Sequence, residues 1–543
     1  MSNPESTATE SSPAKHSRRL WFLMVFDLLA TVGILAIWFL LPEQFDRGTR
    51  SIFTVMVLIV AAAAFAVWFF GLARVSARAR FICAAVLLLL VVGVAASVRR
   101  VEFTGDMVPT FDFRWTPDRY EILEAHRASQ RADASPAEDA KNDTPNAPVE
   151  GNTWSVLDYR GADRTGVIPG PALARTWDDA APRLVWRQPV GGGYASFVIK
   201  GPLVITIEQR RNEEAIAAYD FDTGRERWIH AYPAVFSEQM GGDGPRATPV
   251  IVEDAVYALG ATGVLTCLEL ATGEPRWSLN ILEQNGSQNL TWGMSGSPLV
   301  YDGLVLVNPG NQDGTARSRS ITTFDLATGS PRFDGGETTA SYASPMLVTL
   351  DGVRQVLVFD AEGLAGYNAT NGNELWRTPW KSDVGVNAAQ PIVIGNNSVF
   401  ISSSAGAALY ELQQEDDRWQ VDEVWQNFRM KCGYACPIAY QGYVYGIDEN
   451  ILVCLELATG KRMWKDRDGQ YGHGQLLRRD DLLVVLGEAG ELALVEATPK
   501  GFHELGRIQA IEGKTWNNPA LAGNRIFVRN HLEMAAYDLP IAP

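Results

Sequence analysis

Leu268-Glu269-Leu270-Ala271-Thr272-Gly273-Glu274-Pro275-Arg276-Trp277 returns almost unchanged as Leu455-Glu456-Leu457-Ala458-Thr459-Gly460-Lys461-Arg462-Met463-Trp464. Each copy reads as a β-prone run, a turn in which glycine supplies φ > 0, and a strand carrying tryptophan. Weaker copies lie between and around them. An apolar or aromatic residue precedes a polar or acidic one at Tyr219-Asp220, Leu268-Glu269, Phe324-Asp325, Tyr367-Asn368, Tyr410-Glu411, Leu455-Glu456, Val495-Glu496 and Tyr537-Asp538, at spacings of 40 to 56 residues. Five copies continue through Gly224, Gly273, Gly329, Gly372 or Gly460 to Trp228, Trp277, Phe333, Trp376 or Trp464. A repeat of this length is the mark of a solenoid or a propeller.

A second series marks where units begin: Thr248-Pro249, Ser297-Pro298, Ser344-Pro345, Gln390-Pro391, Cys436-Pro437 and Asn518-Pro519. Within a unit, Pro249 to Val252, Ala255 to Leu259 and Val264 to Leu270 read as three strands, and the tryptophan strand is the fourth. Four-stranded sheets repeated radially make a β-propeller. Seven units are complete. The last, Trp516 to Leu539, lacks a fourth strand, and Leu184 to Pro189, ahead of the first unit, has the character of one. Pairing the two closes an eight-bladed ring and removes its free edges. Each docking ring is expected to pack between neighbouring blades.

These motifs resemble the PQQ-repeat, or tryptophan-docking, family over residues 153–543. Tyr159-Arg160-Gly161-Ala162-Asp163-Arg164-Thr165-Gly166 and Gly241-Gly242-Asp243-Gly244-Pro245-Arg246 look like its uncharacterised membrane-anchored bacterial members. The resemblance implies one of two functions, because fold does not settle function. One is a non-catalytic binding or assembly scaffold, as in the outer-membrane assembly lipoprotein. The other is a membrane-bound quinoprotein oxidoreductase of alcohols or sugars, using PQQ and calcium. The resemblance further implies that such an enzyme would hold calcium through Glu, Asn and Asp oxygens and often carry two adjacent bonded cysteines near the quinone. The chain has no Cys-Cys pair, and its candidate oxygens, Glu208, Asp243, Asn289 and Asn517, come from scattered loops. The scaffold reading, without a cofactor, is therefore the expectation.

The first hundred residues have another character. Apolar runs occupy 20–41, 52–72 and 81–98, each about long enough at 1.5 Å per residue to cross a hydrocarbon core of roughly 30 Å. A cleaved signal would be one shorter run, so three transmembrane helices spanning 20–98 are expected. Lys15, Arg18 and Arg19 in the 1–19 tail, and Arg74, Arg78 and Arg80 in the second loop, put those segments in the cytoplasm. Everything after residue 98 then lies outside the inner membrane, with Arg99 and Arg100 the exceptions to the charge rule. Residues 99–152 read as a flexible linker, rich in Ala, Asp, Glu, Pro and Ser from Glu121 to Asn152, with a short helix over Tyr120 to Ala132. Asp27 is the one ionisable group inside a span.

The net charge is −16; residues 1–100 hold ten Lys/Arg against five Asp/Glu, which leaves −21 on the remainder. Phosphate would be repelled by so acidic a domain, so nucleic acid is not an expected partner. The lipid bilayer and an extracytoplasmic protein are.

The loops leading into the inner strands share one face and carry Tyr194, Arg246, Trp292, Tyr342, Lys431, Tyr434, Tyr471, His473, Lys514 and Trp516. Rings stack and cations meet carboxylates, so this mixture suits a protein loop or an anionic planar ligand. Arg246, Trp292, Lys431, His473, Trp516, Asn517 and Glu208 are the candidate contact residues, the last because a polar Glu208-Gln209-Arg210 run ends a strand where apolar residues belong. A lone His473 is read as hydrogen-bonded structure ahead of catalysis. Cys432 and Cys436 are read as structural thiols, free or paired, and Cys267 and Cys454 as buried in separate blades.

Overall fold

The computed structural model describes residues 14–41, 47–72, 75–133, 154–178, 180–310, 319–382, 385–416 and 418–543. It divides into two compact units, 1–116 and 117–543.

The first unit holds three helices, Ala14–Phe39, Arg47–Val67 (prolonged by a wider turn, Trp68–Leu72) and Ala77–Ser97, followed by a hairpin of Val98–Phe103 with Pro109–Phe113. Two stretches, Arg47–Gly71 and Ala77–Ser97, are long and apolar enough to cross a membrane. Three spans are not established: among the described residues the first helix contributes a shorter apolar stretch, Met24–Phe39. Arg50 donates to the carbonyls of Trp38 (3.2 Å) and Leu41 (3.3 Å), satisfying oxygens that the end of the first helix leaves open.

The second unit is the eight-bladed ring. Blades 1 to 7 cover 198–233, 250–280, 299–335, 346–379, 392–427, 438–470 and 475–509, each a four-stranded antiparallel sheet in chain order. Blade 8 takes three strands from 520–538 and its fourth from Arg183–Pro189, with Arg183 opposite Asp538 and Pro189 opposite Glu533. The closure expected from the missing strand is thus formed. Two-residue turns join inner to second strands in every blade but the fifth, and at Asp302-Gly303 (φ 47° and 74°) both residues are left-handed, as a type I′ hairpin requires.

Between blades, Trp186, Trp228, Trp277 and Trp425 each lie on a turn glycine of the next blade, Gly224, Gly273, Gly329 and Gly460. The indole N–H of Trp228 donates to Leu270 O (3.0 Å), Trp277 to Leu326 O (3.1 Å) and Trp464 to Thr498 O (2.8 Å). Trp186 in the closing strand and Trp425 do the same to Phe221 O and Leu457 O. A Cβ on Gly273 would stand 2.4 Å from the Trp228 ring, so this glycine is needed for room as well as for its φ of +73°. Trp376 departs from the pattern and bonds Gln355 of its own blade, because blade 5 replaces the Ala-Thr-Gly turn by a hairpin of two ten-residue strands.

Residues 99–152 are not one flexible linker. The hairpin occupies 98–113, and the short helix extends over Arg119–Asp133 and is docked. Tyr120 and Leu123 are buried, Arg127 pairs with Glu226 at 2.9 Å, and Arg119 pairs with Asp243. Two buried rings or chains and two ion pairs are what composition could not reveal. Residues 134–153 lie outside those described.

Candidate functional site

At the heads of the inner strands stand the residues of the unit-start series, joined by Ser196 ahead of blade 1 and Gln475 opening blade 7, and together these form a belt around the axis. The Ser196 N–H donates to Thr248 Oγ1 (3.0 Å), Thr248 N–H to Ser297 Oγ (2.9 Å), and Ser297 N–H to Ser344 Oγ (2.9 Å). Gln390 continues it, donating its amide to Ser344 O (2.8 Å) and its N–H to the Cys436 sulfur (3.4 Å). Cys436 N–H reaches Gln475 Oε1 (3.4 Å), Gln475 reaches Trp516 O (3.2 Å), and Ser196 Oγ closes the circuit on Asn518 O (2.6 Å). Cys436 is therefore a belt member. Cys432 is free and buried like Cys436, Cys267 and Cys454, and burial pushes its thiol up, which suits an inert side chain. Among the described residues no group of three His, Cys, Asp or Glu is placed to hold a metal ion.

Inside the belt the channel is filled by the chain itself. Val156 pairs with Ile199 of blade 1, Leu157 O accepts from Ile251 of blade 2, and Val167 pairs with Arg478 of blade 7. Between these points Arg164, 2% exposed, donates to Ser297 O (3.2 Å), Pro345 O (2.8 Å) and Pro298 O while pairing with Asp158 at 2.8 Å. Arg160 reaches Leu476 O (2.9 Å), Asn518 Oδ1 (3.1 Å) and Pro437 O (3.4 Å). Two guanidinium forks thus tie five blades to one plug through groups that would otherwise be unpaired. Sequence reasoning missed this role. The available signal was the run Arg160-Gly161-Ala162-Asp163-Arg164-Thr165-Gly166, which has arginines but no strand alternation. Arg160, Gly161, Arg164 and Gly166 all have positive φ there.

Above the belt the approach loops gather an aromatic arc. Tyr434 stacks on Trp516 (5.3 Å, 24°) and meets His473 edge-on at 5.1 Å; Tyr194 lies 5.4 Å from Trp516. Lys514 Nζ stands 4.5 Å over the Trp516 ring and 5.6 Å over Tyr194. Arg246 covers Phe236 at 4.8 Å and Tyr194 at 5.8 Å, and Trp292 pairs edge-on with Tyr342 at 5.7 Å. A Cβ on Gly241 would touch both Arg246 and Trp292, so the two halves of the arc adjoin. Tyr434, 41% exposed, is its most open ring.

Arg246, Trp292, His473 and Trp516 are thus brought together on one face, whereas Lys431, Asn517 and Glu208 are withdrawn from it. Lys431 is 6% exposed and paired with Glu449. Asn517 is buried and donates to Ala195 O at 2.8 Å. Glu208 is fully buried, accepting from Gly191 N (2.7 Å), Arg210 Nε (2.5 Å) and Tyr219 OH (3.0 Å). Arg210 also pairs with Glu226 at 2.9 Å, which joins it to Arg127 of the docked helix. The polar break in the strand is therefore a buried ion-pair chain. Trp516 too is partly structural: its indole N–H donates to Glu488 at 3.0 Å.

The oxygens that a calcium-held quinone would need do not fit that task. Both carboxylates are committed to arginine, Glu208 to Arg210 and Asp243 to Arg119. Among the described residues the amide oxygens of Asn289 and Asn517 have no hydrogen-bond partner, but they stand in separate loops, before blades 3 and 8. A cation would have to compete with a guanidinium for each carboxylate.

Comparison with known proteins agrees with the architecture. The family described as outer membrane protein assembly factor BamB matches residues 153–293 and 212–466, more than half of the chain. The BamB of Burkholderia pseudomallei (strain K96243) is 23% identical over 289 residues, covering 44% of this chain and 70% of that protein. The crystal structure of BamB from Moraxella catarrhalis is 16% identical, with TM-score 0.46, over 66% of this chain and 98% of that one. Quinohemoprotein alcohol dehydrogenase from Comamonas testosteroni shares the fold at 12% identity and TM-score 0.51, over 78% of this chain and 84% of that one. The repeats, their closure and the family match lead to one conclusion: the chain belongs to the outer membrane protein assembly factor BamB family of PQQ-repeat β-propellers.

Proposed function

We propose that this chain is a non-catalytic, membrane-anchored propeller that binds a protein partner outside the cytoplasm and serves as an assembly scaffold. The observation that carries the reading is the arc from His473 through Tyr434, Trp516 and Tyr194 to Arg246, where large rings and cations share one loop face. Aromatic and arginine side chains supply most interface hot spots. The name of the Burkholderia pseudomallei relative, an assembly factor, supports the same class of role. The apolar helices Arg47–Gly71 and Ala77–Ser97 support anchoring, and arginines at 74, 78 and 80 support an inner-membrane topology with the propeller on the periplasmic side.

Catalysis with PQQ is the lesser reading, because both carboxylates that calcium would require already face arginine. The test is photo-crosslinking from Tyr434, replaced by a benzophenone amino acid, in intact cells, compared with Thr272 on an exposed turn of blade 2. A discrete crosslinked protein specific to position 434 is expected. Dye-linked oxidation of alcohols or sugars after addition of PQQ and Ca²⁺, with no specific crosslink, would reverse the assignment.

A further inference from the structure

The hairpin that follows the third helix carries a feature the scaffold role does not use. Helix Ala77–Ser97 passes without a break into Val98–Phe103, and the returning strand is fastened to the helix end by Arg114 N–H donating to Ser97 O at 2.8 Å. The hairpin's turn is held elsewhere: Asp106 pairs with Arg47, at the start of the second helix, at 3.4 Å. The hairpin therefore lies across the same end of the bundle at which Arg50 caps the first helix through Trp38 O and Leu41 O. With strands of five and six residues at about 3.3 Å each, it reaches roughly 17–20 Å, enough to bridge neighbouring helices.

Its surface is apolar and aromatic. Val108 is 49% exposed, Phe111 51% and Trp115 69%, and Phe113 stacks on Trp115 with centroids 4.4 Å apart and planes 7° from parallel. Water gives no reason to display these groups, whereas the headgroup layer accepts an apolar body beside polar backbone, which is why aromatic residues gather there. Arginines flank them, each beside a carboxylate: Arg47 with Asp106, Arg99 with Asp112 (3.5 Å), Arg100 with Glu102 (3.6 Å). These pairs neutralise cations that would otherwise oppose placing this end outside the cytoplasm.

We propose that residues 98–115 form an interfacial element seated in the headgroup layer of the outer leaflet, with Val108, Phe111 and Trp115 against the acyl chains. This rests on reading the apolar helices as membrane spans. The occupant is the lipid surface itself, since the hairpin continues a helix whose own side chains face outward along its length.

The test is depth measurement by spin labelling of the full chain in phosphatidylethanolamine–phosphatidylglycerol nanodiscs. In a Cys83→Ser background the remaining cysteines are buried, so single labels are placed through Val108→Cys, Phe111→Cys and Trp115→Cys. Val91→Cys within the third helix and Thr272→Cys on the propeller serve as lipid and water references. The hairpin labels should favour oxygen over a water-soluble nickel complex several-fold more than position 272, approaching position 91. Equality with position 272 while position 91 reports lipid would overturn the proposal and leave the spans intact. Exclusion of both relaxants, as under a covering protein, would also overturn it. If position 91 itself behaves like position 272, the membrane reading fails and the proposal with it.

Discussion

Replacing Gly273 by alanine tests the docking geometry more directly than deleting a tryptophan. Gly273 has φ +73°, and an added Cβ would lie 2.4 Å from Cε3 and 2.7 Å from Cδ2 of Trp228. Gly303 has nearly the same φ, +74°, but a Cβ there meets nothing within 4 Å. Alanine at either site bears the left-handed penalty of about 1–2 kcal/mol. Only Gly273→Ala adds the cost of overpacking, about 1–3 kcal/mol, because the ring is fixed by its bond to Leu270 O and cannot slide away. Trp228→Ala should cost about 3–5 kcal/mol as a core truncation. In that background the ring is gone, so Gly273→Ala should fall to the cost of Gly303→Ala, giving a coupling of about 1–3 kcal/mol. Urea unfolding of the full chain in detergent, followed by circular dichroism, supplies all the free energies. The docking argument is refuted if Gly273→Ala and Gly303→Ala agree within about 0.5 kcal/mol, the limit of additivity, or if the cycle shows no coupling.

Three further outcomes follow from buried groups. Arg164→Ala should cost about 3–5 kcal/mol, since it strands Asp158 and three carbonyls in the channel, and a melting temperature like that of the parent would show that the plug is not fastened there. Glu214 accepts from Tyr232 OH (2.7 Å) and Ala261 N (2.9 Å), and burial raises its carboxyl above the ordinary range despite these bonds. Its folded form holds the proton more tightly than the unfolded chain, so its stabilising contribution is present in acid and lost as pH climbs through the raised value. Glu214→Gln should accordingly gain stability relative to the parent between pH 4 and 8; a constant difference in melting temperature would contradict this. Trp516→Ala should lower the melting temperature measurably through loss of the Tyr434 stack and the Glu488 bond, whereas Tyr434→Ala should barely change it, and the reverse order would misplace the exposed edge of the arc.

The distinction between those two residues shows where sequence reading stopped. Trp292 and Trp516 stand away from the Gly-x-x-x-Trp positions, so the sequence offers both as contact residues. Trp292 keeps that character beside Tyr342, but Trp516 is held between two tyrosines and a glutamate. Lys431 and Glu208 carried the same ambiguity: a charge in a loop or strand looks like a site until its partner is known. Those partners, Glu449 and Arg210, lie 18 and two residues away, yet only burial shows that water is excluded from both pairs.

The blades, their number and the closing strand were determined by the sequence alone, because each depends on local rules repeated at regular spacing. Glycine permits the turn, short apolar runs make strands buried on both faces, and the absence of a fourth strand at one end is matched by its presence at the other. What the tertiary structure decided depends on groups far apart in the chain. Arg160 meets Leu476 and Asn518, which follow it by 316 and 358 residues, and Arg119 meets Asp243 across 124. No periodicity encodes such pairs, so the plug and the docked helix could not be read in advance. The turn glycine stands between the two cases: its positive φ is a local demand visible in the sequence, while the tryptophan resting on it belongs to the neighbouring blade and appears only when the ring is closed.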